Sequence, residues 1–112
     1  HIKLANSLNL PMFLHQRDAH EDFMDCLNKE TPRTKCVVHC FTGKKRELFN
    51  YLDRDFYIGL TGWICDPNRG SHLEELIPLI PLKRLLIETD SPYLLMLQIA
   101  TTSMLQAHRQ AA

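Results

Sequence analysis

The amino-acid sequence predicts an α/β fold in which parallel strands alternate with helices. Short apolar runs recur along the chain, and the segments between them repeat their apolar residues every three or four positions. The runs are almost continuously apolar, as expected when both faces of a sheet are covered, and strands separated by helices pair in parallel. The predicted strand segments are residues 12–15, 36–39, 56–60 and 85–90.

Helices are expected before and between these strands. Residues 1–8 are expected to form the end of a helix. Asp18 is expected to cap the next helix, with Glu21 as its capping-box partner. Ser71 with Glu74 forms a second predicted capping box. Apolar residues at helical spacing predict which faces are buried: Phe23, Met24 and Leu27, then Leu48, Phe49 and Leu52, and finally Leu73, Leu76, Ile77 and Ile80.

The chain is short for the closed barrel that such an order suggests. It has 112 residues, whereas an eight-stranded α/β barrel needs about 250. Because the chain also begins at His1 without a methionine, we expect a fragment or a truncated product. We assign residues 1–96 to half of a barrel and residues 97–112 to a divergent tail, and we expect residues 61–70 to be a long functional loop.

Composition narrows the class of protein. Thirteen basic and thirteen acidic residues cancel, unlike the basic balance of a protein that coats nucleic acid. No apolar run approaches the roughly 20 residues of a membrane span, so no membrane partner is expected. Four cysteines without a CxxC spacing indicate reduced thiols and a cytoplasmic location, although nuclear and mitochondrial locations stay open.

Polar side chains at the strand ends predict a metal site. His15 and His39 close the first two strands and Asp90 follows the fourth, and such ends meet at one mouth of a barrel, where catalysis takes place. Imidazole and carboxylate suit a divalent ion, and Asp90 could also accept a proton from water. A lone histidine is more often a hydrogen-bonded core residue, and Asp90 alone could cap a helix.

Strand alternation places two further charged residues on the same face of the sheet as the predicted metal ligands. Arg17 lies two positions after His15 and could bind a phosphate, although a surface ion pair with a neighbouring acid is the alternative. Glu88 lies two positions before Asp90 and could orient a ligand or bind substrate, with an ion pair to Arg84 as the alternative.

The predicted loops at the mouth add three candidates for substrate binding. Trp63 could stack on a base, or simply pack its loop down. Thr42 and Arg69 lie on the same side. The remaining histidines have no strand-end context and are interpreted as surface or helix residues: His1, His20, His72 and His108.

Several ordered blocks of the sequence, rather than one motif, form a recognisable pattern. The blocks are HQRDAHE at 15–21, VHCFTG at 38–43, YIGLTGW at 57–63, CDPNRG at 65–70 and LIETDSPYL at 86–94. Together they resemble the TatD family of metal-dependent deoxyribonucleases over about residues 1–95.

The resemblance implies a partial TIM (β/α)₈ barrel of the amidohydrolase type, containing about strands 5–8. It implies that His15 and His39 are metal ligands at the ends of the fifth and sixth strands, and that Asp90 is the metal-binding acid of the eighth. Arg17 matches a phosphate-contacting position and Glu88 a supporting one. The implied cofactor is Mg²⁺, Mn²⁺ or Zn²⁺, as one or two ions, and the implied partner is DNA, preferably single-stranded, with RNA as an alternative.

The sequence departs from the family pattern in ways that bear on activity. The family's His-x-His pair and its bridging Glu are absent, and Gln16 replaces a common Cys. We therefore expect a phosphodiester-cleaving nuclease, of 3′–5′ exonuclease type as one option, that is weakly active or inactive as this chain alone and self-associates through its exposed sheet edges. The alternatives are a non-catalytic truncated isoform and an amide- or ester-cleaving amidohydrolase.

Overall fold

The computed structural model describes residues 1–94, which form a four-stranded parallel sheet with helices. The strands follow one another in chain order across the sheet, and every neighbouring pair is parallel. The predicted parallel α/β architecture is confirmed. The strands are β1 (Met12–His15), β2 (Cys36–His39), β3 (Tyr57–Leu60) and β4 (Leu85–Ile87).

Helices and short 3₁₀ turns connect the strands. The helix before β1 ends at Asn9, whose left-handed backbone (φ 54°) is a common way to close a helix. The helices are α1 (Ile2–Leu8), α2 (His20–Lys29), α3 (Lys45–Leu52) and α4 (Ser71–Glu74), and the 3₁₀ turns are Gly62–Cys65, Ile77–Leu79 and Leu82–Arg84.

The two predicted capping boxes are wrong. Helix α2 begins at His20, and Asp18 lies outside it with a left-handed backbone (φ 53°). With its amide oxygen facing the helix, the Gln16 side chain accepts hydrogen bonds from the backbone N–H of Ala19 and His20, at 3.1 and 2.9 Å. These donors are ones that a helix start leaves free, so Gln16 takes the place of the predicted cap.

The second box fails because the helix begins one residue earlier than its spacing requires. Gly70 is the N-cap and Ser71 is the first helical residue, without a side-chain cap. The helix also ends after one turn, at Glu74, and the chain continues as a 3₁₀ turn at Ile77–Leu79. Pro78 lacks the N–H that a continued α-helix needs.

The connection after β3 is more ordered than a loop. Residues Gly62–Cys65 form a 3₁₀ turn, and the Thr61 hydroxyl accepts a hydrogen bond from the Trp63 N–H. Gly70 is required here because a Cβ at this position would overlap the backbone of Trp63 and Ile64. The close approach fixes the turn that carries Trp63.

The core lies on the helical side of the sheet. Alternate strand residues face it, as the two-residue period of a strand requires. His20 lies in a helix, as one of its two predicted placements has it, and is buried at 8% exposure. The predicted burial of Phe49 is wrong, because this ring is 40% exposed despite its place in an apolar stripe. The largest fully buried side chains are Tyr51, Leu27, Leu48, Ile58, Leu60, Leu73, Ile80, Val38 and Cys36.

The predicted boundary at residue 96 and the divergent tail 97–112 lie outside the described residues. Within residues 1–94, no helix combines the length and the apolar character that crossing a membrane requires.

Candidate metal centre and nucleic-acid interface

The two strand-end histidines lie side by side. His15 and His39 are directly opposite each other in the β1–β2 register, and their ring centroids are 5.7 Å apart. Both therefore project from the face of the sheet that the helices do not cover. The sequence-based expectation that one βα unit would bring these rings together agrees with this placement.

His39 is held from several directions. Its Nδ1 is hydrogen-bonded to the Glu88 carboxylate, and its Nε2 lies 3.3 Å from Oδ1 of Asp90. The Phe13 ring packs against the imidazole with a centroid distance of 4.7 Å. With Nδ1–H donating to Glu88, the Nε2 lone pair faces the Asp90 carboxylate, and two acceptors in this position need a proton or a cation between them.

The side chain of Glu88 reaches across β3 to His39 on β2 because β3 has a glycine, Gly59, at this position. A Cβ on Gly59 would overlap the Glu88 carboxylate. The second oxygen of that carboxylate, Oε1, is buried and has no hydrogen-bond partner among the described residues. The alternative ion pair of Glu88 with Arg84 does not form, because Arg84 pairs with Asp55 instead.

Cys40 joins this cluster, and the sequence-based reasoning missed it. Ligand atoms of His39, Cys40 and Asp90 all lie within 4.8 Å of one another. Burial raises the pKa of the Cys40 thiol, a hydrogen bond from Thr61 acts in the opposite direction, and the charge of Asp90 raises it further. The signal available in the sequence was its position directly after a strand-end histidine.

His15 stands beside this converged group rather than in it. It is exposed, and with Arg17 it lines a cleft at the free edge of β1. Among residues 1–94, the group in which three ligand atoms converge contains His39 and Asp90 but not His15. Of the three predicted ligands, the structure therefore brings two into contact and places the third on the neighbouring strand.

Arg17, Trp63 and Arg69 form a second cluster. The guanidinium carbons of Arg17 and Arg69 lie 4.6 and 4.2 Å from the centre of the indole ring, within the range of cation–π attraction. Arg69 is also hydrogen-bonded to Asp66, and this contact holds the pKa of the Asp66 carboxyl below its usual range. The alternative ion pair of Arg17 with Asp18 or Glu21 does not form among residues 1–94, and Glu21 pairs with Arg46 instead.

Thr42 lies apart from both clusters. Its carbonyl oxygen contacts Nε2 of His72 at 3.1 Å. It lines a cleft of about 450 Å³ between the start of α2 and the start of α3, together with Gln16 and Lys44. Nothing in its placement brings it to His39.

The donor set of the first cluster fits a divalent cation. Imidazole, carboxylate and thiol are ligands that Zn²⁺ accepts, and carboxylates suit Mn²⁺ and Mg²⁺. Proteins usually orient a metal-binding histidine through a hydrogen bond between a carboxylate and the ring nitrogen that does not bind the metal. The buried and unpartnered Oε1 of Glu88 is also the kind of atom that an ion or a water commonly satisfies.

Comparison with known proteins decides the family. The model of the TatD related DNase family matches residues 1–109. The chain belongs to this family. The membership extends across both clusters and explains why the ordered blocks of the sequence resemble those of TatD proteins.

Curated TatD relatives are close in sequence but much longer. The chain is 52% identical over 95 residues to the "3'-5' ssDNA/RNA exonuclease TatD" of Shigella flexneri serotype 5b, covering 84% of this chain and 36% of that protein. It is 54% identical to the protein of the same name from Erwinia tasmaniensis, covering 84% and 37%. The chain thus spans little more than a third of the relatives that it matches.

Solved TatD structures share the fold. A TatD homologue from Escherichia coli K12, YjjV, superposes with a TM-score of 0.75 at 28% identity, covering 98% of this chain and 51% of that one. A TatD family hydrolase from Entamoeba histolytica superposes with a TM-score of 0.67 at 32% identity, covering 79% and 29%.

Proposed function

We propose that this chain supplies part of the active site of a metal-dependent nuclease that hydrolyses phosphodiester bonds in single-stranded DNA, with RNA as a second substrate. The observation that carries the proposal is the meeting of His39, Glu88 and Asp90 on the open face of the sheet. Relatives named as single-stranded DNA/RNA exonucleases support the substrate class.

In this proposal each residue of the first cluster has a separate task. His39 and Asp90 would hold a divalent ion, and His15 lies beside them on the adjacent strand. Glu88 fixes the ring of His39 through Nδ1. A bound ion makes water a stronger acid and offsets phosphate charge. Asp90 then accepts the proton of the attacking water at a carboxylate oxygen.

The second cluster binds the nucleic acid. Arg17 has no ion-pair partner among residues 1–94, so its guanidinium is free to bind a phosphate in two-pronged fashion. A base that displaces one of the two guanidinium groups from the Trp63 ring would stack there, a contact worth about 1–3 kcal/mol per base. Arg69, held by Asp66, supplies a second positive charge on the same ring.

We also propose that the four strands are the fifth to eighth strands of a TIM barrel. Their open face and the two free sheet edges would then be closed by the remaining strands. The family resemblance assigns other metal ligands to those strands, so we expect little or no cleavage by this chain alone, and self-association through its edges. A cytoplasmic location stays a prediction.

A chimera tests the proposal without depending on the activity of the isolated chain. The 95 matching residues of the Shigella flexneri relative are replaced by the aligned residues of this chain. We expect the chimera to release nucleotides from a labelled single-stranded DNA oligonucleotide with Mg²⁺ or Mn²⁺, and EDTA to stop the release. His39→Ala should abolish it, whereas His72→Ala, on an exposed histidine of α4, should preserve it.

Two results would contradict the proposal. The first is a folded chimera, verified by circular dichroism, that fails to cut DNA while the intact relative does. The second is cleavage of an amide or ester library in place of DNA, which would favour an amidohydrolase instead.

A further inference from the structure

We propose that Cys40 is a ligand of this ion beside His39 and Asp90, and that its thiolate gives the site a preference for Zn²⁺ and similar ions over Mg²⁺. The inference rests on the proposed metal centre. Cys40 is not among the metal ligands predicted from the sequence, which are His15, His39 and Asp90.

The backbone at the end of β2 turns the Cys40 side chain toward His39 and Asp90. Neighbouring residues of a regular strand point to opposite faces, so a cysteine next to His39 should face away from it. Cys40, however, has a left-handed backbone, with φ 48°. The departure interrupts the alternation and leaves Sγ within 4.8 Å of the ligand atoms of both His39 and Asp90.

The spacing of the donor atoms is close to what an ion requires. Tetrahedral zinc with bonds of about 2.0–2.3 Å holds its ligand atoms roughly 3.3–3.8 Å apart. The observed Nε2-to-Oδ1 distance between His39 and Asp90 is 3.3 Å. Sγ of Cys40, within 4.8 Å of both atoms, adds the sulfur of a nitrogen, oxygen and sulfur set.

A neighbouring hydroxyl is placed to hydrogen-bond the thiolate that a metal binds. The Thr61 hydroxyl lies 3.2 Å from Sγ and accepts the backbone N–H of Trp63 at 3.3 Å. Because the hydroxyl oxygen is an acceptor for Trp63, its own proton is available to donate to sulfur. On ligation the S–H bond breaks, the sulfur–metal bond forms, and the thiol proton passes to water.

Ligand chemistry sets the expected preference. Thiolate selects soft and borderline ions, whereas Mg²⁺ prefers oxygen donors alone. A site of His39, Cys40 and Asp90 should therefore bind Zn²⁺, Co²⁺ or Cd²⁺ in preference to Mg²⁺. A site without the sulfur should lose much of that preference.

Cobalt spectroscopy on the 112-residue chain tests the proposal directly. Cys26→Ser and Cys65→Ser are introduced first, because these two thiols are not buried and could bind ions by themselves. Addition of Co²⁺ should give visible ligand-field bands, which report a bound ion, and a near-ultraviolet sulfur-to-cobalt band, which reports thiolate ligation. Cys40→Ser should abolish the sulfur band, and the loss of Zn²⁺ affinity should exceed about tenfold, the lower end of the loss when a supporting residue is removed.

The outcomes separate this proposal from the proposed function. Ligand-field bands without the sulfur band would overturn the role of Cys40 and leave a metal centre of His39 and Asp90. No bound cobalt would overturn the metal centre itself, and the role of Cys40 with it. A sulfur band that survives in Cys40→Ser would assign the ligation to another thiol. Circular dichroism establishes that each variant folds, and Cys40→Ala serves as a second variant.

Discussion

The two faces of the sheet differ in what they bury. On the helical face, Val38 and Ile58 are fully buried and Leu14 is 9% exposed. On the other face, Phe13 is 67% exposed and Leu86 is 42% exposed. The polar residues at the strand ends, His15, His39 and Glu88, alternate with the buried positions and therefore share the open face.

The difference teaches that stability and the proposed chemistry depend on separate sets of side chains in the same strands. Burial of apolar surface on the helical face supplies the driving force for folding. The open face carries the charged groups, which would be costly to bury without partners. A substitution on one face should therefore affect mainly one of the two properties.

Truncation on the covered face should have the largest effect on stability. Ile58→Ala removes a fully buried side chain and should lower the free energy of unfolding by about 2–5 kcal/mol. Phe13→Ala, in β1 on the open face of the sheet, should lower the free energy of unfolding by less than about 1 kcal/mol. Urea denaturation measures both. If Ile58→Ala does not fold, Ile58→Val should still cost about 0.5–1.5 kcal/mol, and equal losses at both positions would contradict the comparison.

A methyl group on β3, between His39 and Glu88, should weaken ion binding with little effect on folding. Gly59→Ala forces the Glu88 carboxylate away from its position, so His39 loses the partner of Nδ1. Removal of such a partner typically costs about 10–100-fold in metal affinity, measurable by calorimetric titration with Zn²⁺ or Mn²⁺.

Gly43→Ala is the matched control for that substitution. Its new Cβ would meet the end of the Glu47 side chain, which can move, and the ring of Phe41. Ion affinity should therefore stay at the level of the unsubstituted chain. An unchanged affinity in Gly59→Ala would show that Glu88 does not support His39.

The buried Tyr51 should make stability depend on alkaline pH. Its hydroxyl contacts Nδ1 of His20 at 2.8 Å, and burial raises its pKa well above the usual value. The unfolded chain ionises this phenol near pH 10, whereas the folded chain keeps it neutral. Its contribution is thus complete below about pH 10 and is lost above it, at about 1.4 kcal/mol per pH unit.

Tyr51→Phe should remove this dependence. At neutral pH it should also cost about 1–2 kcal/mol, because a buried nitrogen of His20 loses its partner. Tyr93→Phe, on a ring that is 85% exposed, is the control. Urea unfolding at several pH values between about 8 and 11 compares the slopes, and the same alkaline slope in Tyr51→Phe and the unsubstituted chain would contradict the assignment.

Much of the fold was predictable because periodicity reflects burial. The strands ending at His15 and His39 begin and end as predicted, and their direct pairing follows from parallel βα units of similar length. The same argument placed Glu88 on the face of His39, since it depends on alternation alone. These features follow from local pattern and chain topology.

The missed features depend on contacts that no local pattern encodes. Gln16, not Asp18, meets the first N–H groups of α2, because Asp18 adopts a left-handed backbone. Cys40 lies beside His39 and Asp90 for a similar reason, since its φ of 48° interrupts the alternation of a regular strand. His20 is buried because Tyr51 and Asn50 supply its hydrogen bonds.

The smallest expected effect concerns the loop that holds Arg69 over the indole. Asp66 has a lowered pKa because of its hydrogen bond from Arg69, so the pair persists at neutral pH and is lost as the pH falls through that lowered value. Trp63 is the one tryptophan of the sequence, and its fluorescence should therefore change in this acidic range while circular dichroism remains constant. Asp66→Asn should show no such step, and Asp53→Asn, on an exposed acid, should retain it. A step of equal size in Asp66→Asn would mean that another group controls the position of Arg69.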